Sequence, residues 1–311
     1  MSNNKLLLTL YKPVLHGYFA VRNSWPVWDG ICNRRARNVQ LADALPLTAE
    51  DLSIVEEIRE NGIATTRLET LLEGDPLLQD ILEWHRGRSP VENTAGRKSF
   101  LREYWSILPT LDFTNPFLRF AVHSTPLSIV NAYMGMWSRL SQFDLRKTLP
   151  QGEAITAIQS QKWHRDPEEK RMLKIFLYLN DVDAEAGPFT YIRKSTFGNK
   201  YGHLFPQRPP EGNYPPEEAV QKAIQKEDIK SMTASAGTVI FCDTSGLHFG
   251  GRATKKERIM STIVYNSPAY TEGARYRFSD TTLQELDTLT PQARFALSGK
   301  QLKSKTGSMS M

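Results

Sequence analysis

The sequence predicts a mainly β protein with a helical N-terminal part, its strands arranged as an antiparallel sandwich or barrel. Three observations carry this. Beyond about Met136 lie several short runs of β-branched and aromatic residues bounded by turn residues. Helical patterns do not alternate with them, which argues against a βαβ sheet. Before Met136 the apolar spacing is that of helices.

The N-terminal elements read as follows. "PLTAEDLSIVEEIRENG" offers Thr48 as N-cap, acidic residues in the first turn and Gly62 as a stop. Leu52, Ile54, Val55 and Ile58 mark its apolar face. "RKSFLREYWSIL" and "PLSIVNAYMGMW" repeat the helical spacing, with Pro109, Pro116 and Pro126 as punctuation. Residues 1–135 are therefore expected to be mainly helical.

The strands are expected at "LKIFLYLNDV" (173–182), "GPFTYI" (187–192), "GTVIFCD" (237–243) and "RIMSTIVYNS" (258–267). Residues 197–236 interrupt the series. They open with "FGNKYGHLFPQRPPEGNYPP" and then give one helix from about Pro216. An insertion of this length between core strands reads as a lid or binding loop. Residues 271–311 form a C-terminal extension.

Bulk properties bound the function. The 311 residues suffice for a sizeable core, and 40% hydrophobic with 23% charged residues is ordinary soluble usage. The net charge of +5 is spread along the chain. Its densest basic spot, Arg34, Arg35 and Arg37, lacks the basic and aromatic interleaving of a nucleic-acid groove, so no nucleic-acid partner is expected. Cys32 and Cys242 are the two cysteines, which argues against a disulfide scaffold or a thiolate zinc site and suits a cytoplasmic protein. The apolar stretch "KLLLTLYKPVLHGYFAV" is too short, and too interrupted by Lys12, Pro13 and His16, to span a bilayer. No membrane association is expected.

The chemistry centres on "QKWHRDPEEK". On an extended segment His164 and Asp166 project to one side, so both could reach one ion. Alone, such a pair is more often surface or core. Its weight comes from Trp163 and Pro167 beside it, and from His248 beyond a buried-looking strand and a Gly-bearing turn. Two histidines and a carboxylate on one face of a metal are the ligand set of non-haem Fe(II) oxygenases. Arg258 opens the last strand, where a buried arginine is costly unless it meets an anion. Its planar fork suits a carboxylate. Gln161 and Lys174 are nearby polar candidates for cosubstrate or substrate contacts, and an inward-facing Lys174 needs an anionic partner. Trp163, Phe189 and Tyr191 are candidate pocket aromatics. His16, His85, His123 and His203 sit in unrelated contexts.

"WHRD…KIFLYLNDVDAEAGPFTYIRKST…AGTVIFCDTSGLHFGGRATKKER" resembles the phytanoyl-CoA dioxygenase-like branch of the Fe(II)/2-oxoglutarate-dependent oxygenases. The resemblance is specific from about Gln161 to Pro268 and looser back to Leu101; residues 1–95 carry none. It implies a single oxygenase domain with a double-stranded β-helix (jelly-roll, cupin-like) core over 136–270. It further implies Fe(II) on His164, Asp166 and His248, with 2-oxoglutarate gripped by Arg258 and O2 as oxidant. The implied reaction oxidises an unactivated C–H bond of a small molecule while 2-oxoglutarate becomes succinate and CO2. The family often has Ser-His where this chain has Ser195-Thr196. Asp166 favours hydroxylation over halogenation, since halogenating relatives replace the carboxylate with a small residue. The competing readings are a non-catalytic cupin-like binding protein and a hydrolytic zinc enzyme.

Overall fold

The computed structural model describes residues 3–91, 100–106, 108–152 and 156–299. Among the described residues, nine strands form two antiparallel sheets: β1 (Ile63–Arg67), β2 (Leu101–Glu103), β3 (Arg139–Thr148), β4 (Met172–Tyr178), β5 (Thr190–Ile192), β6 (Ile229–Ser231), β7 (Thr238–Cys242), β8 (His248–Phe249) and β9 (Arg258–Asn266). The large sheet runs β1-β7-β4-β9-β3-β2 and the small one β6-β5-β8. An isolated antiparallel bridge, His164 to His248, adds a fourth short segment beside β8.

With that segment included, the chain passes from one sheet to the other in turn. It runs from β3 (large) to residue 164 (small), β4 (large), β5 and β6 (small), β7 (large), β8 (small) and β9 (large). This winding is a jelly roll, an arrangement that covers each sheet with the other rather than leaving two flat open sheets. Strand alternation then divides the side chains. On β4, Leu173, Ile175 and Leu177 join the core shared with the helices. Phe176 and Tyr178 face the small sheet, where they pack with Phe189 and Tyr191, alongside Ile240 of β7.

The helices cover the outer face of the large sheet. Helix Ala49–Asn61 begins at Thr48, whose hydroxyl accepts from the Asp51 amide while Asp51 reaches back to the Thr48 amide. It ends at Gly62, whose φ of 78° is left-handed, and a Cβ there would lie 2.2 Å from the Tyr191 hydroxyl oxygen. Ile54, Val55 and Ile58 are buried, but Leu52 is 47% exposed, so the apolar face is narrower than the spacing predicts. Helix Ser124–Met134 likewise stops at a left-handed Gly135.

The structure differs from the sequence reading in three details. The first 135 residues contain β1 and β2 besides their helices. Within "RKSFLREYWSIL" the described part forms β2, drawn into pairing with Arg146–Thr148 of β3; residues 97–99 and 107 lie outside the described residues. Strand β3 itself was not anticipated, because its inward face is polar (Ser141, Gln142, Arg146, Thr148) and hides the usual apolar run. The excursion does contain a helix, Glu217–Ala223, but its last part, β6, is a strand of the small sheet. The interruption therefore ends before Ile229.

The long helix Asn3–Arg22 is tied to the jelly roll through Glu169, which is fully buried. Its carboxylate accepts from Arg22 (3.1 and 3.2 Å), from the Trp28 indole (2.7 Å) and from the Ser267 hydroxyl (2.7 Å). Among the described residues no helix is long and apolar enough to cross a membrane. Removing one partner of a buried ion pair strands the other charge, so Glu169→Ala should lower stability by about 3–5 kcal/mol. The shift of a denaturant-unfolding midpoint measures it, and a shift below a quarter of that would refute the anchoring role.

Candidate active site

Backbone pairing places the first three functional groups. The amide of His164 donates to the His248 carbonyl (2.9 Å), and the His248 amide to the His164 carbonyl (3.0 Å). The Asp166 amide donates to the Thr244 carbonyl (2.9 Å). Alternation along this extended segment turns His164 and Asp166 into a cavity of about 620 Å³ between the sheets. His248 enters the same cavity from β8.

The three side chains are buried, and their ligating atoms lie within 4.8 Å of one another. His164 Nε2 is 3.7 Å from Asp166 Oδ1, and His248 Nε2 is 3.7 Å from Asp166 Oδ2. Each ring's Nδ1 lies at a backbone carbonyl, Lys162 O at 2.8 Å for His164 and Gly246 O at 3.0 Å for His248. A carbonyl only accepts, so both Nδ1 atoms carry the proton and both Nε2 atoms present lone pairs. Two imidazole lone pairs and a carboxylate thus converge with no proton between them, an arrangement that a cation stabilises. Such second-partner bonds set the tautomer of metal-binding histidines generally. The triad fits the two-histidine, one-carboxylate Fe(II) set.

Electrostatics agree with a site held open for a metal. Burial, with His164 alongside, pushes His248 down to about 3, so its ring stays neutral. Burial alone would raise the Asp166 carboxyl, but the Lys174 ammonium leads the charges that hold it well below the usual carboxylate range. Lys174 faces inward on β4 and donates to Asp166 Oδ2 at 2.6 Å. The inward lysine therefore has the anion it needs, and that anion is the candidate ligand itself.

Arg258 is 5% exposed and lines the same cavity. It donates to the Gly187 carbonyl and, at 3.5 Å, to the Thr148 hydroxyl; its Nε has no partner. Among the described residues no carboxylate pairs with it. Burial accordingly pushes its guanidinium down. Gln161 also lines the cavity, but its amide holds a turn, accepting from the Ile158 amide (3.1 Å) and donating to Gln151 (2.9 Å).

The aromatic candidates separate. Phe189 lines the cavity, its ring centroid 5.6 Å from that of His248. Tyr191 is sealed in the core, with its hydroxyl on the Asp243 carbonyl. Trp163 points away, into a second apolar cluster with Phe249, Tyr201 and Val220. His203 is exposed, His16 pairs with Glu211, and His123 caps a helix.

Sequence reading missed three contributors. Arg165, between the two ligands, points the other way and donates to five backbone carbonyls, those of Ser195, Tyr201, Leu204, Phe205 and Ser245. It fastens Tyr201, Leu204 and Phe205 of the excursion to the segment carrying His164. Tyr214, from that excursion, stacks on His164 with centroids 5.7 Å apart and planes 22° apart. Glu168 lines the cavity with a buried Oε2 that has no partner. The only sequence signals were the H-R-D alternation for Arg165 and the surplus of acids after Pro167 for Glu168.

No known protein-family profile and no curated protein sequence matches the chain. Solved structures resemble it at low identity. The epimerase SnoN, in complex with Fe3+, alpha ketoglutarate and nogalamycin RO, superposes with a TM-score of 0.49 and 16% identity, covering 71% of this chain and 84% of that one. Fe-bound EctD from S. alaskensis gives a TM-score of 0.46 and 15% identity over 84% and 89% of the two chains. HygX from Streptomyces hygroscopicus, with nickel, 2-oxoglutarate and hygromycin B bound, gives 0.45 and 16% over 75% and 92%.

The folded-state shift of His248 has a defined pH consequence. Below about 6.5 the unfolded chain takes up a proton that the folded site refuses, so folding stability falls as pH drops from 6.5 towards 3. The slope for one such group is up to about 1.4 kcal/mol per pH unit. Metal-free wild type should therefore lose more stability between pH 7 and pH 5 than His248→Asn, measured by denaturant melts. Equal losses would show that the ring is not held neutral.

Proposed function

We propose that the chain is an Fe(II)/2-oxoglutarate-dependent oxygenase of the phytanoyl-CoA dioxygenase-like type, hydroxylating or otherwise oxidising an unactivated C–H bond of a small molecule. One observation carries the reading. A buried His–Asp–His set opens into the same cavity as a buried arginine that has no counter-ion. An unpaired buried guanidinium costs several kcal/mol unless an anion meets it. A dicarboxylate reaching from the metal to Arg258 would supply that anion.

His164, Asp166 and His248 would hold Fe(II) on one face, leaving the cavity side for cosubstrate and O2. The iron would supply oxidative decarboxylation of 2-oxoglutarate coupled to attack on the substrate C–H bond. The protein's own residues do the rest. Arg258, its fork steadied by Gly187 and Thr148, orients the far carboxylate. Lys174 fixes the Asp166 rotamer and leaves Oδ1 turned toward His164. Phe176, Phe189 and Met260 supply an apolar wall that excludes water from the reacting centre. Residues 197–228 would act as the lid, fastened by Arg165 through the Tyr201, Leu204 and Phe205 carbonyls and placing Tyr214 over the metal side. Gln161, as a turn holder, would shape the cavity rather than grip cosubstrate.

Asp166 supports oxygenation over halogenation, because it occupies the position a halide would need. Neither a zinc hydrolase nor a non-catalytic cupin-like binding protein has a use for a cosubstrate-gripping arginine in that place.

Anaerobic addition of Fe(II) and 2-oxoglutarate should produce the weak visible charge-transfer band of the chelate. His164→Ala and Asp166→Ala should abolish it. Arg258→Met should still take up iron yet weaken 2-oxoglutarate binding by about 100-fold, the scale of losing a buried charge-assisted contact. A folded, iron-loaded wild type without the band would overturn the proposal.

A further inference from the structure

The charges lining the main cavity can be paired off. Arg146 is matched by Glu103 at 3.2 Å and Asp144 at 3.2 Å. Lys174 is matched by Asp166 at 2.6 Å, and Arg275 by Glu272 at 3.5 Å. Two charged side chains of the lining form no ion pair among the described residues: Arg258, and Glu168, whose Oε2 has no hydrogen-bond partner although the Lys174 ammonium acts on it. They have opposite signs and lie toward opposite ends of the chamber. Arg258 opens β9, while the charges acting on Glu168 are those of Asp166 and Lys174 first and of Glu272 last, and Lys174 lies beside Val264 near the far end of that strand. At ~3.3 Å per residue, the two ends of β9 are on the order of 25 Å apart.

The Glu168 end presents acceptors. Glu168 Oε2 is buried and unpartnered. Asn266 Oδ1 is also buried and unpartnered, while its Nδ2 donates to the Ser141 hydroxyl at 2.8 Å. Buried acceptors without donors are costly, and a ligand carrying N–H groups would satisfy both. The Tyr270 ring lines the same end, and Tyr214 lies over His164. Aromatic faces beside a carboxylate suit an organic cation.

Resting on the oxygenase reading above, we propose that the substrate carries an ammonium group, which Glu168 binds at the end of the cavity opposite Arg258. Asn266 accepts a second N–H or O–H of the same molecule. The arrangement orients the substrate: its cationic end is fixed at Glu168, so a C–H bond one or a few atoms away is the one presented to His164, Asp166 and His248. Cosubstrate dianion and substrate cation are thereby kept from exchanging ends, since each meets a like charge at the wrong one.

Calorimetric titration of the full-length protein with glucosamine and 1,5-diaminopentane, against glucose and 1,5-pentanediol, tests this. Each titration is made with and without anaerobic Fe(II) and 2-oxoglutarate. The amines should bind about tenfold or more tighter than their neutral counterparts, the scale of one charge-assisted hydrogen bond. In Glu168→Gln, which keeps the side-chain shape, that preference should vanish. Equal binding of amines and neutral partners, no amine binding, or a preference that survives in Glu168→Gln would each overturn the proposal. The comparison needs no turnover, so it reads the charge preference whether or not the charge-transfer band forms. Failure here is thus distinct from failure of the cosubstrate reading.

Discussion

The structure depends on the antiparallel bridge between His164 and His248. Two backbone hydrogen bonds, 2.9 and 3.0 Å, join a segment that is otherwise loop to the two-residue strand β8. That pairing completes the small sheet and sets the ligand geometry in one step. The candidate ligands are opposite each other because their backbones are paired, not because their side chains attract. In the absence of a cation the side chains repel, since lone pairs face lone pairs. The sheet supplies what holds them together.

Residues 163–169 use both sides of the extended backbone. His164 and Asp166 face the cavity, while Trp163 and Arg165 face outward and secure the excursion. Glu169 then binds the N-terminal helix through Arg22 and the segment after it through Trp28. One short segment therefore joins three parts of the chain, which is why its charged residues are mostly buried. Displacing it by one residue would exchange the two sides and put a guanidinium where the carboxylate now lies.

Burial without neutralisation organises the cavity. Most charges in it are in ion pairs, and the two that form none among the described residues, Arg258 and Glu168, differ in sign. An uncompensated charge lowers the stability of the empty protein and raises its affinity for whatever completes the set. This division favours a chamber that takes two molecules at once, each in a defined orientation.

Much of this was legible in the sequence, and for definite reasons. The strands at 173–182, 237–243 and 258–267 declared themselves because one or both of their faces pack against apolar layers. The triad could be read because alternation is local: His164 and Asp166 must share a side wherever the segment goes. The stop at Gly62 followed from the left-handed conformation it requires. Strand β3 could not be read, since its inward face is polar only because it borders a cavity. The partners of Lys174, Gln161 and Glu168, and the absence of one for Arg258, are likewise tertiary facts. Local sequence determined which residues share a face of the chain. Only folding decided which faces meet, because pairing of charges depends on distances between segments that the backbone brings together from far apart.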